Sequence, residues 1–197
     1  FLMLDVSDPA RPRQIARYHD SIVYGDQMSH GDVDDRYACA WSHVHGVRWL
    51  DFAKSGQEID TGLNLNDRYH IFSGIVARGD HFLCLDRGGY RIVKPLETDY
   101  DAQPLRRYSQ HSEGKPTVVG NALFAASRVG SAIAIVDIRD VEKPRLLREF
   151  QTAGNPGMVS VRNGALIIPD AYNGLLIYDD FVKTFGLEVD AKTLLGE

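Results

Sequence analysis

Cysteine is nearly absent from this chain: its 197 residues include two, Cys39 and Cys84. Two thiols make neither a disulfide framework nor a zinc or redox spacing, and they suit any compartment. No apolar run approaches the ~20 residues needed to cross a bilayer, so no membrane span is expected. Positive charge is not in surplus either. With 22 Lys and Arg against 27 Asp and Glu, the net charge is −5. Nucleic-acid binding draws on a cationic excess that neutralises phosphates, so no nucleic-acid partner is expected. Gly130-Ser131-Ala132 is not a Gly-x-Ser-x-Gly elbow, and Gly88-Gly89 opens no helix that would cradle a phosphate. No segment of helical length is amphipathic. What remains is ordinary: 44% hydrophobic and 25% charged residues, enough for a single domain with its own core.

What the chain does contain is a repeat. Asp5-Val6-Ser7-Asp8-Pro9 and, three residues beyond Ala10, Arg13 return as Asp137-Ile138-Arg139-Asp140, Pro144 and Arg145, 132 residues later. Each copy follows an aliphatic run, Leu2-Met3-Leu4 or Ile133-Ala134-Ile135-Val136. Weaker copies fall at Trp49-Leu50-Asp51-Phe52, at Arg91-Ile92-Val93-Lys94 and at Leu176-Ile177-Tyr178-Asp179, a spacing of about 43 residues. Four strand signals per unit at this period indicate the blades of a β-propeller. The fold class is therefore read as all-β, a propeller with four-stranded blades, four to five of them visible and the first incomplete. The chain is taken as a single domain over 1–197, or a fragment of one, with units at about 2–46, 47–89, 90–131, 132–174 and 175–197.

Within a unit, hairpin turns place the strands. Gly120-Asn121 and Asn163-Gly164 lie between apolar runs, where both central turn positions favour positive φ. They separate Thr117–Val119 from Ala122–Ala126, and Gly157–Val161 from Ala165–Pro169. Gly74–Ala77 and His81–Leu85 flank Arg78-Gly79-Asp80, and Asp34-Asp35 precedes Arg36–Trp41. A glycine turn leads to each aliphatic third strand. Fourth strands are expected near Ile15–Tyr18, Leu105–Tyr108, Leu146–Phe150 and, in the last unit, Phe185–Val189. On this register Cys39 and Cys84 point to opposite faces of their blades and form no disulfide. The chain opens on Phe1 inside a strand-like segment, so an upstream portion is expected. The missing strands would come from it or from another subunit, in a larger ring; the alternative is a ring that closes at five blades with an incomplete first one.

The segments Leu2-Met3-Leu4-Asp5-Val6-Ser7-Asp8-Pro9 and Ile133-Ala134-Ile135-Val136-Asp137-Ile138 resemble the LVIVD repeat, an aliphatic strand closed by Asp-Val-Ser-Asp-Pro. Arg91, Lys94 and Pro95 depart from it. The resemblance implies a bacterial or archaeal β-propeller at an extracellular, periplasmic or cell-surface location, with no shared catalytic motif. A fold of this kind does not by itself specify chemistry.

Repetition separates scaffold from site. Asp8 and Asp140 recur with proline at a fixed offset and are read as turn caps; Asp5, Asp51, Asp137 and Asp179 share that reading. Residues unique to one blade at the shared rim are the binding candidates: Trp41, Tyr69, Arg87, His111, Arg128, Asp170 and Tyr172. Five of the seven histidines, His30, His43, His45, His70 and His111, fall in connections that open on one rim, with His81 at the opposite end. His43 and His45 alternate in extended geometry and could share a divalent transition metal with His30 and His70; equally, they are plain turn histidines. The primary reading is a non-catalytic scaffold that binds a protein or small-molecule ligand at one rim. The alternative is a metal-dependent propeller enzyme with a histidine-lined central mouth.

Overall fold

The computed structural model describes residues 2–17, 30–33, 36–42, 46–51, 57–59, 74–78, 81–86, 89–94, 102–103, 116–127 and 130–196. Among them, seventeen strands form five antiparallel sheets in chain order. The first pairs β1 (Leu2–Asp5) with β2 (Arg13–Arg17). The second is β3 (His30–Val33), β4 (Tyr37–Ser42), β5 (Gly46–Asp51) and β6 (Gln57–Ile59). The third is β7 (Gly74–Arg78), β8 (His81–Asp86), β9 (Gly89–Val93) and β10 (Ala102–Gln103). The fourth is β11 (Thr117–Val119), β12 (Ala122–Ser127), β13 (Ala132–Asp137) and β14 (Arg145–Gln151). The last is β15 (Ser160–Arg162), β16 (Ala165–Pro169) and β17 (Leu175–Tyr178). Every sheet is an up-and-down meander of sequential neighbours.

The repeat read from the aspartates is structural in detail. Asp5 pairs with Arg13 across β1–β2, and Asp137 with Arg145 across β13–β14. Each ladder carries a bulge at the same point, between Met3 and Leu4 and between Ile135 and Val136. Asp5 Oδ1 accepts from the Ser7 amide and Asp137 Oδ1 from the Arg139 amide. Asp8 and Asp140 accept from the amides two residues on, Ala10 and Glu142, both at 3.1 Å. The Arg11 and Lys143 amides close the same turns on the Asp8 and Asp140 carbonyls. Because this bond is local and exposed, Asp140→Ala should cost about 1 kcal/mol. Denaturant unfolding should read that loss, with an equal one for Asp8→Ala.

The repeat aspartates are also charge-paired. Arg13 binds Asp5, Arg36 binds Asp51 through two nitrogens, and Arg139 binds Asp137. Burial would push the Asp137 carboxyl up, but the bonds from Arg139 outweigh it and hold the group below the ordinary aspartate value.

Sheet faces stack on one another. All six β13 residues are buried, because both faces of that sheet are covered. Leu123, Ala125, Val136 and Ile138 meet Leu83 and Ile92 of the preceding sheet. Ala122, Phe124, Ile133 and Ile135 meet Val159, Leu166 and Ile168 of the following one. Cys39 pairs with Trp49, two residues before Asp51, and Cys84 with Arg91, three before Lys94. The side chains of Cys39 and Cys84 are not among those described.

One strand expectation changes. Phe185–Val189 is not a fourth strand: the chain forms α1 (Phe181–Thr184) and α2 (Ala191–Leu195), with Phe185–Val189 between them. Asp180 and Asp190 cap the helices by accepting from the Lys183 and Thr193 amides. In the third sheet the fourth strand is Ala102–Gln103, and Leu105–Tyr108 lies outside the described residues. No described helix is long and apolar enough to cross a membrane.

Candidate functional site

The first strands β7, β11 and β15 are each the edge of their sheet. They face a shared cleft of 640 Å³ lined by Val76–Arg78, Pro116–Val119 and Met158–Val161. That volume lies within the range of small-molecule sites. Its walls join apolar side chains to strand-edge backbone, with Thr117, Ser160 and Arg78 as the polar side chains.

Two bonds set the spacing of the walls, and each spans one repeat length. Thr117 Oγ1 donates to the Val159 carbonyl at 2.7 Å, 42 residues away. Arg78 Nη2 donates to Asn121 Oδ1 at 2.8 Å, 43 residues away. Asn121 is itself held, its side chain donating to the Thr193 carbonyl and its backbone amide to the Leu194 carbonyl. Arg78 is thus anchored by one nitrogen of a five-donor fork. Among the described residues no carboxylate forms an ion pair with it. The cleft therefore combines an apolar body with a positioned cation at one end.

At the opposite end of the blades lie the rim loops. Asp170 follows β16 and is fully buried (0% exposed). Its Oδ2 accepts from the Gly154 amide and the Asn173 side chain, both at 3.0 Å. The carboxylate ties the connection between the fourth and fifth sheets to the β16–β17 turn. Gly154 is needed for this approach, since a Cβ there would run into the Asp170 carbonyl. Asp170 Oδ1 has no hydrogen-bond partner among the described residues. Burial raises the carboxyl, yet hydrogen bonding, including that from Asn173 and Gly154, prevails and the group sits below its ordinary value.

A depressed folded pKa means that this contribution is present above the unfolded value. It is lost as pH falls through the folded one. Protection of the Gly154 amide in hydrogen exchange should therefore persist at neutral pH and decline below about pH 4, the ordinary aspartate range. Asp170→Ala should abolish it at any pH.

The structure distributes the sequence candidates unevenly. Asp170 is an internal anchor, while Tyr172 beside it is 98% exposed. Trp41 and His30 are cross-strand partners at one end of the second sheet. His81 pairs with Arg78 at the other end of the third. Tyr69, Arg87, His111, Arg128, His43, His45 and His70 lie outside the described residues. Among those described, no three His, Cys, Asp or Glu side chains are grouped closely enough to hold a metal. Sequence reading assigned Arg78 to a turn and Thr117 to a strand and missed both as cleft residues.

Comparison with solved structures defines the class: this is an all-β chain of propeller type. It superposes on the β-propeller domain of Cps50 (Swd1) from Myceliophteria thermophila with a TM-score of 0.53 at 15% identity, over 74% of this chain and 52% of that one. Streptogramin B lyase gives 0.61 at 13%, over 91% and 62%. The computationally designed Ika4 protein gives 0.55 at 10%, over 84% and 97%. The chain thus spans nearly all of Ika4 but less than two thirds of the other two. At these identities the likeness concerns fold. No known family's sequence profile matches the chain, and no curated protein does.

Proposed function

We propose that the chain is an LVIVD-type propeller acting as a non-catalytic binding scaffold, with its ligand in the first-strand cleft. The observation that carries this reading is the pairing of apolar strand edges with the Arg78 guanidinium in one concave space. The ligand that fits is an elongated apolar molecule bearing one acidic group. Its body would lie along Ala77, Val118 and Val161, the equivalent, partly exposed first-strand positions of three sheets, and its acid would meet Arg78, where charge-assisted bonds are strongest. The rim loops around Tyr172 would flank the other end. The same kinship carries the expectation of an extracellular, periplasmic or cell-surface location.

Anilinonaphthalene sulfonate, an apolar anion, is a direct probe. It should bind at one saturable site, and Ser160→Trp, which adds bulk at an exposed wall position, should remove that binding without lowering Tm. Arg78→Met should weaken it at least about tenfold. Binding that survives Ser160→Trp would place the ligand elsewhere.

A further inference from the structure

Asn121 joins α2 to the cleft. It sits in the β11–β12 turn, against the last turn of α2. The closing carbonyls of a helix have no partner within it. Asn121 takes two of those of α2: its backbone amide donates to the Leu194 carbonyl and its Nδ2 to the Thr193 carbonyl, both at 2.8 Å. Gly120 permits that approach, since a Cβ there would run into the Leu195 backbone. A side-chain amide has one donor group and one acceptor. With Nδ2 committed to Thr193, Oδ1 is left to face Arg78, whose Nη2 donates to it at 2.8 Å. Turned over, the amide would set Nδ2 against the guanidinium and Oδ1 against a carbonyl, and neither bond would form. The orientation that holds Arg78 is thus the one α2 selects.

We infer that Asn121 is a positioning residue for the cleft cation and that the docking of α2 sets it. With α2 seated, the guanidinium is held at the cleft wall. With α2 away, Nδ2 loses the carbonyl that fixes it, the amide turns, and Arg78 loses its anchor. Ligand binding and α2 docking are then linked. An acid that needs a positioned Arg78 binds less tightly when α2 is undocked, and stabilises the docked form by the same factor. This consequence rests on the cleft being the ligand site, whereas the coupling between α2 and Arg78 does not.

Two NMR signals read the coupling without ligand. Hydrogen exchange at the Asn121 backbone amide reports α2 docking, and the Arg78 Nε–H resonance reports the guanidinium. Leu194→Asp puts a charge into the cluster that holds α2 and should unprotect the Asn121 amide. Asp190→Ala removes only the exposed cap of α2 and should do so in part, with the fold intact. In each variant the Arg78 resonance should move toward its free-arginine position in proportion to the protection lost at Asn121. A resonance that stays put while protection falls overturns the inference, as does protection that survives both substitutions. Anilinonaphthalene sulfonate then reads the consequence. Its affinity should fall about fivefold in Asn121→Leu, because the guanidinium is competent for a smaller fraction of the time. Saturating probe should slow exchange at the wild-type Asn121 amide by a like factor. Equal affinity in wild type and Asn121→Leu overturns the control of binding by α2. A probe that fails to bind wild type sinks the cleft reading instead, and the ligand-free signals still decide whether α2 positions Arg78.

Discussion

Gly120→Ala is expected to lower stability by about 3 kcal/mol or more, far beyond an ordinary glycine substitution, for two separable reasons. Gly120 has φ +57°, where a Cβ costs about 1–2 kcal/mol. It also lies against the C-terminal helix, and the added carbon would overlap the Leu195 carbonyl. Gly164 separates the terms. Its φ is +75° in the equivalent turn of the next sheet, with nothing within 4 Å of a Cβ. Gly164→Ala should therefore cost about 1–2 kcal/mol, the conformational part alone. Deleting α2 should bring the cost of Gly120→Ala down toward that value, a coupling a double-mutant cycle reads directly. Equal costs for the two glycines in the full chain would mean that α2 does not dock on the Gly120 turn.

Phe181→Ala is expected to cost about 3–5 kcal/mol, the range for emptying a buried aromatic site. Phe181 is fully buried in the cluster shared by the fourth and fifth sheets, with its ring edge-on to Phe124 at 5.6 Å. It opens α1, the segment that follows β17 where the inner sheets continue into a fourth strand. Val189, Leu194 and Leu195 fill the same cluster, and Phe185 stacks on Phe150 at 4.2 Å. The helical tail thus fills space between two blades. Asp180→Ala, which removes only the α1 cap, should cost about 1 kcal/mol. A Phe181→Ala loss as small as that in chemical denaturation would show the tail to be peripheral to the core.

The blade pattern was legible because its signals are local. Gly120-Asn121 and Asn163-Gly164 declare hairpins through backbone preference, and Asp5, Asp8, Asp137 and Asp140 declare turns through bonds two residues away. The tail misled because the repeat was extrapolated: Asp179 fits the aspartate position, but no Asp-x-x-x-Pro turn follows it. Asp180 and Asp190 as caps, with glycines at 186 and 196 after the helices, were the competing signals. The cleft was the least legible part. Thr117 meets Val159 and Arg78 meets Asn121 across a full repeat, and no local pattern reports which residues of adjacent blades face one another. Asp170 was singled out for being unique to one blade. Its burial and its bond to Gly154, 16 residues away, are likewise tertiary facts.

The central claim, a ligand site walled by the first strands of three blades, is tested most directly by a methyl-resolved NMR titration with decanoate, an apolar chain ending in one carboxylate. Saturable shifts should appear at the methyls of Ala77, Val118 and Val161, with the Arg78 guanidinium resonance moving in step and Leu175 and Ile177 unmoved. Shifts confined to Leu175 and Ile177, or none at these three cleft residues, would contradict it.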